Sequence, residues 1–128
     1  LAESAGGYMQ QLSRGRYDTI QVTENLGILL RDSREGHYYS PENFSSGTED
    51  QLWFAFRLAL TDYLGEGRDL PLLLDDLFMN FDDKRAAEGL DLLAARAAEG
   101  QQVILLTCHK RIAKLAEERA GWSARTLP

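Results

Sequence analysis

Cysteine is nearly absent from this chain. A lone thiol, Cys108, excludes an intrachain disulfide, and a cytoplasmic location is the expectation that follows. Histidine is as scarce. His37 and His109 with Cys108 fall short of a four-ligand zinc set: a Cys108–His109 site would need two more ligands, and His37 alone does not supply them. No apolar run is long enough to cross a bilayer, and no charged-then-apolar leader opens the chain, so no membrane partner is expected. Positive charge is not in excess: 14 Lys and Arg stand against 20 Asp and Glu, a formal net charge of −6. That balance argues against a dominant nucleic-acid footprint but leaves room for a local basic patch. No G-x-x-x-x-G-K-[ST] phosphate loop occurs anywhere. The first residue is Leu1 rather than Met, which suggests an excised fragment.

What is present suits one compact domain. The 128 residues are 44% hydrophobic and 27% charged, the proportions of an ordinary soluble globular protein with a modest core. Ala2 to Leu12 reads as a helix with Tyr8, Met9 and Leu12 on one face, ended by Gly15. Tyr17 to Thr23 alternates Tyr17, Thr19, Gln21 and Thr23 against Ile20 and Val22, a half-buried strand. A turn at Asn25 and Gly27, a strand over Ile28 to Arg31, and a turn at Arg34-Glu35-Gly36 back toward His37-Tyr38-Tyr39 complete a small antiparallel meander. Pro41 to Gly47 reads as a loop.

The second part alternates strand and helix. Thr48 to Tyr63 is helical, with Leu52, Ala55, Phe56, Ala59, Leu60 and Tyr63 at three- and four-residue steps. Trp53 and Phe54 widen the apolar arc, and Gly65 and Gly67 break the helix. Leu70 to Leu74 is a continuous apolar run, which suits a parallel strand buried on both faces. Asp83 to Ala98 is a helix with Leu90, Leu93 and Ala97 inward, closed by Gly100. Val103 to Leu106 is a second buried strand, Lys110 to Glu118 an outer helix, and Ser123 to Leu127 a last edge strand. The fold class is α/β: parallel strands joined by right-handed crossovers, plus the meander.

Ligand sites of parallel α/β sheets lie outside the carboxyl ends of the strands, where Asp75 and Asp76 stand. On an extended backbone the two side chains point to opposite sides and take different roles. One carboxylate can hold Mg²⁺ through water; the other can orient and deprotonate an attacking water. The pair is also compatible with simple strand capping. Ser45-Ser46-Gly47 precedes a long helix, whose free N–H groups and partial positive charge suit a phosphate, or are capped by Ser45 or Ser46 with Glu49 in the first turn. His109 follows a buried strand and can donate to a phosphoryl oxygen, or act as a cap. Asp82 reads as the cap of the following helix, and Cys108 as a buried small hydrophobe. Lys110, Arg111 and Lys114 crowd a helix start against its dipole, marking either an anion contact or a solvated basic face.

Taken together, these motifs resemble the C-terminal lobe of an ABC-type ATPase head of the SMC and DNA-repair coiled-coil class, and within it the YhaN-like bacterial ATPases. The similarity runs from about Tyr8 to the end. Ser45-Ser46-Gly47-Thr48 matches the signature motif, and Ala55-Phe56-Arg57-Leu58-Ala59 looks like the signature helix. Leu72 to Asp76 matches Walker B, Asn80-Phe81-Asp82 the D-loop, and His109 the switch histidine.

The resemblance implies a P-loop NTPase fold with ATP and Mg²⁺ as cofactors of the complete head. Asp75 would hold the metal through water and Asp76 would stand in the place of the catalytic Glu. His109 would touch the γ-phosphate. Asp82 would reach across a dimer interface, and Ser45, Ser46, Gly47 and Thr48 would meet the phosphate held by the opposite head. Arg57 would couple ATP binding to lobe rotation. Residues 1–16 would be the return of a coiled coil, 17–40 the antiparallel strands and 44–128 the catalytic core. The implied partners are the Walker A half of the same parent chain, a second head, DNA and a nuclease.

The sequence departs from the pattern at Ser46, Thr48 and Leu77, and above all at Asp76. Asp is one methylene shorter than Glu, and a misplacement of ~1 Å can cost on the order of 10²-fold in rate. Either the backbone compensates or hydrolysis is slow. Without Walker A the isolated chain is expected to be inactive. The rival reading is a non-catalytic ATPase-like interaction module. A phosphoacceptor regulatory domain lacks the further strand-end Asp and Lys it needs.

Overall fold

In a computed structural model, which describes residues 1–128, the chain folds as two compact units, Leu1–Arg68 and Asp69–Pro128. The first unit opens with helix α1 (Ala2–Leu12), which buries Ala5, Gly6, Met9 and Leu12. Gly6 lies against the backbone of Asp18 and Ile20, so the helix sits close on strand β1 (Tyr17–Val22). Strands β2 (Ile28–Asp32) and β3 (Tyr38–Tyr39) continue an antiparallel sheet in the order β1-β2-β3, the expected meander. The expected alternation along β1 fails. The register shifts between Tyr17 and Thr19, a bulge that puts two residues against one. Tyr17 and Ile20, three apart, therefore both point inward, while Val22 is exposed.

A turn of 3₁₀ helix at Pro41–Asn43 leads into helix α2 (Ser46–Gly65). The helix starts two residues earlier than expected, so Ser46 and Gly47 belong to its first turn rather than to a loop. Its buried face is Gln51, Leu52, Phe54, Ala55, Leu58 and Ala59. Leu60, Tyr63 and Trp53 are exposed rather than buried, with the Trp53 ring tilted against the half-buried Phe56 at 6.1 Å. Gln51 is buried and donates from Nε2 to the carbonyl of Leu12 at 2.9 Å. That bond gives an otherwise orphaned carbonyl at the end of α1 a partner.

The second unit is a parallel pair of strands, β4 (Leu72–Asp75) and β5 (Val103–Leu106), joined by helix α3 (Asp83–Ala98) and followed by helix α4 (Lys110–Glu117). Asp82 caps α3, accepting from the Arg85 N–H at 2.8 Å, as its position suggested. Leu90 and Leu93 point inward; Ala97, expected to do so, is exposed. Phe78 and Phe81 pack ring to ring under α3, with centroids 5.2 Å apart. Gln101 ties the α3–β5 turn to the strand start: it donates to the Leu70 carbonyl at 2.6 Å and accepts from Arg96 at 2.6 Å.

Two expectations are corrected here. The strands are covered on one face only: within this chain Leu72 and Leu74 are buried, whereas Leu73, Ile104 and Leu106 are 69%, 45% and 43% exposed. The second face has no element of this unit against it, so the apolar run is not a strand buried on both sides. Ser123 to Leu127 forms no strand; the tail is held by the Trp122 indole, which donates to the Leu90 carbonyl at 3.0 Å.

Candidate functional site

The first unit presents the start of α2. Ser45 is the N-cap, and its hydroxyl accepts from the Thr48 N–H at 3.2 Å. The Ser45 and Thr48 hydroxyls are 3.0 Å apart. The capping reading of Ser45 therefore holds. It does not exclude a ligand role, since a hydroxyl has one proton and two lone pairs and the cap uses one. Phe44 stacks edge-on against Tyr17 at 5.6 Å, which pins the approach to the helix onto β1. Ser45 and Ser46 are exposed, Gly47 and Thr48 are buried, and Arg57 is exposed three turns further along.

The second unit gathers its candidates at the carboxyl ends of β4 and β5. Asp75 is the last residue of β4, paired in register with Leu106, and its side chain is exposed. Asp76 is not extended. Its φ is 50°, in the left-handed region, while its N–H still donates to the Leu106 carbonyl at 2.8 Å. Asp is among the few non-glycine side chains that visit this region readily. The simple alternation expected for the Asp pair therefore does not apply. The turn carries the Asp76 carboxylate toward Cys108, whose backbone N–H donates to Oδ1 at 3.2 Å. The Cys108 thiol lies 3.6 and 3.7 Å from the two carboxylate oxygens.

His109 follows at once as the N-cap of α4, but its imidazole makes no capping bond. Its backbone N–H donates to Thr107 Oγ1 at 3.0 Å. Asp76 and His109 are thus brought together, and Cys108 stands with them: one ligand atom from each lies within 4.8 Å of the others. Cys108 is exposed rather than buried, and sequence reading missed its partnership with a residue 32 positions away. The adjacent Cys108-His109 pair was the only signal available.

Asp82 lies beyond, engaged with its own helix start and with the Arg85 guanidinium at 2.8 Å. Of the basic cluster on α4, Arg111 is occupied. It donates to Asp83 at 2.6 Å and to the Phe81 carbonyl at 2.9 Å, joining the start of α3 to α4. Chemically, the second unit offers an exposed carboxylate on a strand end, a second carboxylate fixed by a backbone turn, and an imidazole beside it.

No protein-family model matches this chain. It is 35% identical over 112 residues to the uncharacterised protein YhaN of Bacillus subtilis, covering 88% of this chain and 12% of YhaN. It is 36% identical over 86 residues to the DNA replication and repair protein RecF of Chlorobium phaeovibrioides, covering 66% of this chain and 22% of RecF. The chain therefore spans between about a tenth and a quarter of the curated relatives it matches. Among solved structures, the SMC head domain from Thermotoga maritima superposes with a TM-score of 0.67 at 21% identity, over 91% of this chain and 40% of that one. A structure described in work on ATP-driven dimerisation and DNA-stimulated activation of SMC ATPases superposes with a TM-score of 0.72 at 18% identity, over 91% of this chain and 71% of that one. The fold is that of part of an SMC ATPase head, and the expected α/β class stands.

Proposed function

We propose that this chain is the C-terminal lobe of an SMC-like head that binds and hydrolyses ATP, and that ATP drives two such heads to dimerise in DNA repair or DNA metabolism. The observation that supports this best is the end of the parallel strand pair, where Asp75, Asp76 and His109 meet the solvent from two neighbouring strands. Ligand sites of α/β sheets form there.

In the complete head, ATP with Mg²⁺ supplies the phosphoryl group and the counter-charge. Asp75 offers hard oxygen donors suited to a hydrated Mg²⁺. Asp76 orients the attacking water and takes its proton, and His109 steadies charge on the transferring group. The left-handed backbone at Asp76 turns its carboxylate toward Cys108, and the proposal requires this turn to make up for the methylene that Asp lacks beside Glu. Ser45, Ser46, Gly47 and Thr48 meet the nucleotide of the opposite head through the α2 N-terminus. Asp82 acts across the same interface, and Arg57 couples binding to lobe movement. The missing phosphate cradle comes from a Walker A segment of the parent protein. The uncovered Leu73, Ile104 and Leu106 face supports such a partner, because parallel sheets are ordinarily covered on both faces. DNA and a nuclease are the further partners proposed.

Ser45→Arg in the full-length parent tests the trans contact. Nucleotide-dependent dimerisation and ATP turnover are expected to fall to background, because the larger cation blocks the phosphate position. Preserved turnover would contradict the shared site. A second reading, a non-catalytic interaction module, is favoured by the Cys108 N–H already bonded to Asp76. Under that reading the wild-type parent would show no nucleotide-dependent dimerisation at all.

A further inference from the structure

The donor set formed by Asp76, Cys108 and His109 is not that of a magnesium site. Asp76 supplies a carboxylate oxygen, Cys108 a thiol and His109 an imidazole nitrogen, all within 4.8 Å of one another. Mg²⁺ takes oxygen ligands almost exclusively, whereas a thiolate with an imidazole selects zinc or a similar soft-borderline ion. Two residues come from consecutive positions after β5 and the third from the turn after β4, so the cluster belongs to one compact unit.

We propose that Asp76, Cys108 and His109 form a three-ligand transition-metal site, selective for Zn²⁺ over Mg²⁺, with its fourth position open to water or an anion. Zinc ligands at ordinary bond lengths lie about 3.3 to 3.8 Å apart in a tetrahedron. The three ligand atoms already lie within 4.8 Å of one another, and their side chains are exposed or only half-buried, which leaves room for the rotations that spacing needs. The Asp76 carboxylate already holds the Cys108 backbone N–H, which orients one ligand toward the other two. Binding exchanges the thiol S–H bond for a sulfur–zinc bond, and the proton leaves to solvent.

One consequence rests on the ATPase reading: bound zinc occupies Asp76 and His109 and so silences turnover. The site itself does not depend on that reading, and its test reads the metal directly. Co²⁺ is titrated into the full chain under reducing conditions. About one Co²⁺ per chain is expected, with a thiolate-to-cobalt charge-transfer band and intense tetrahedral d–d bands. Zn²⁺ displaces it, and a large excess of Mg²⁺ does not. Cys108→Ser abolishes the charge-transfer band. His109→Ala and Asp76→Asn each weaken binding, and His37→Ala leaves it unchanged. Cys108 is exposed, so its substitution opens no cavity, and far-ultraviolet circular dichroism confirms that each variant is folded. Absence of the band in the wild-type chain overturns the proposal. So does unchanged cobalt affinity in both His109→Ala and Asp76→Asn, which would reveal only a thiol binding metal by itself.

Discussion

Single residues in this chain are fixed by a few close contacts whose removal has a definite sign. Asp32 is buried at the end of β2, where the Arg34 N–H donates to its carboxylate at 2.9 Å. That bond holds the carboxyl below its ordinary value of 3.8; burial pushes the other way, and Arg16 at 3.5 Å adds to the lowering. A carboxyl depressed in the folded state stabilises fully above its unfolded value and loses that contribution as pH falls through the folded one. The stability gap between wild type and Asp32→Asn is therefore expected to shrink as pH is lowered from about 5 toward about 2, measured by urea unfolding at each pH. A gap that widens on acidification would contradict this. Gly89 is equally specific. A Cβ there would come within 2.5 and 2.8 Å of the Phe78 ring, which is 1% exposed and cannot retreat freely. Overpacking costs about 1–3 kcal/mol, more than the ~1 kcal/mol that Ala gains in a helix, so Gly89→Ala is expected to lower the urea midpoint. Gly6→Ala is the contrast: its Cβ meets backbone at 3.5 Å, ordinary contact, and the variant should be no less stable than wild type.

Elements were legible where their signals are local. The extent of α3 followed from Asp82 at its cap and Gly100 beyond its end, and the meander from its turn residues. These features depend on neighbours within a few positions. Three features were not legible because they depend on distant partners. The β1 bulge reverses which side chains point inward, and nothing in Tyr17–Val22 itself announces it. The inward face of α2 was misjudged because Trp53, Leu60 and Tyr63 are apolar yet exposed, so periodicity alone could not separate the packed face from the free one. Asp75, Asp76 and His109 stand at strand ends that the apolar runs locate, but the left-handed turn at Asp76 and its union with Cys108 arise only when β4 and β5 pair. The junction of α1 and α2 gives a test at this scale. Gln51→Met keeps the volume but leaves the Leu12 carbonyl without its buried donor. A loss of about 1–3 kcal/mol is expected in urea unfolding. A neutral outcome would show that water reaches that carbonyl.

The molecule as a whole carries one parallel strand pair with a bare apolar face. Two strands are too few for a self-sufficient sheet, and Leu73, Ile104 and Leu106 are only partly covered within the chain. Replacing Leu73 and Ile104 together by Ser is therefore expected to cost the isolated chain less stability in urea unfolding than the single change Leu74→Ala at the buried face, and to lower any self-association seen by sedimentation. In the proposed parent the same change would break the join to the remainder of the head. Under the proposed function, ATP chemistry is divided between this lobe and a Walker A segment that the sequence does not contain. The direct measurement is phosphate release by the isolated chain with saturating ATP and Mg²⁺, beside an Asp75→Ala control. Release no faster than the control is predicted; robust, magnesium-dependent turnover that vanishes in Asp75→Ala would contradict the divided site.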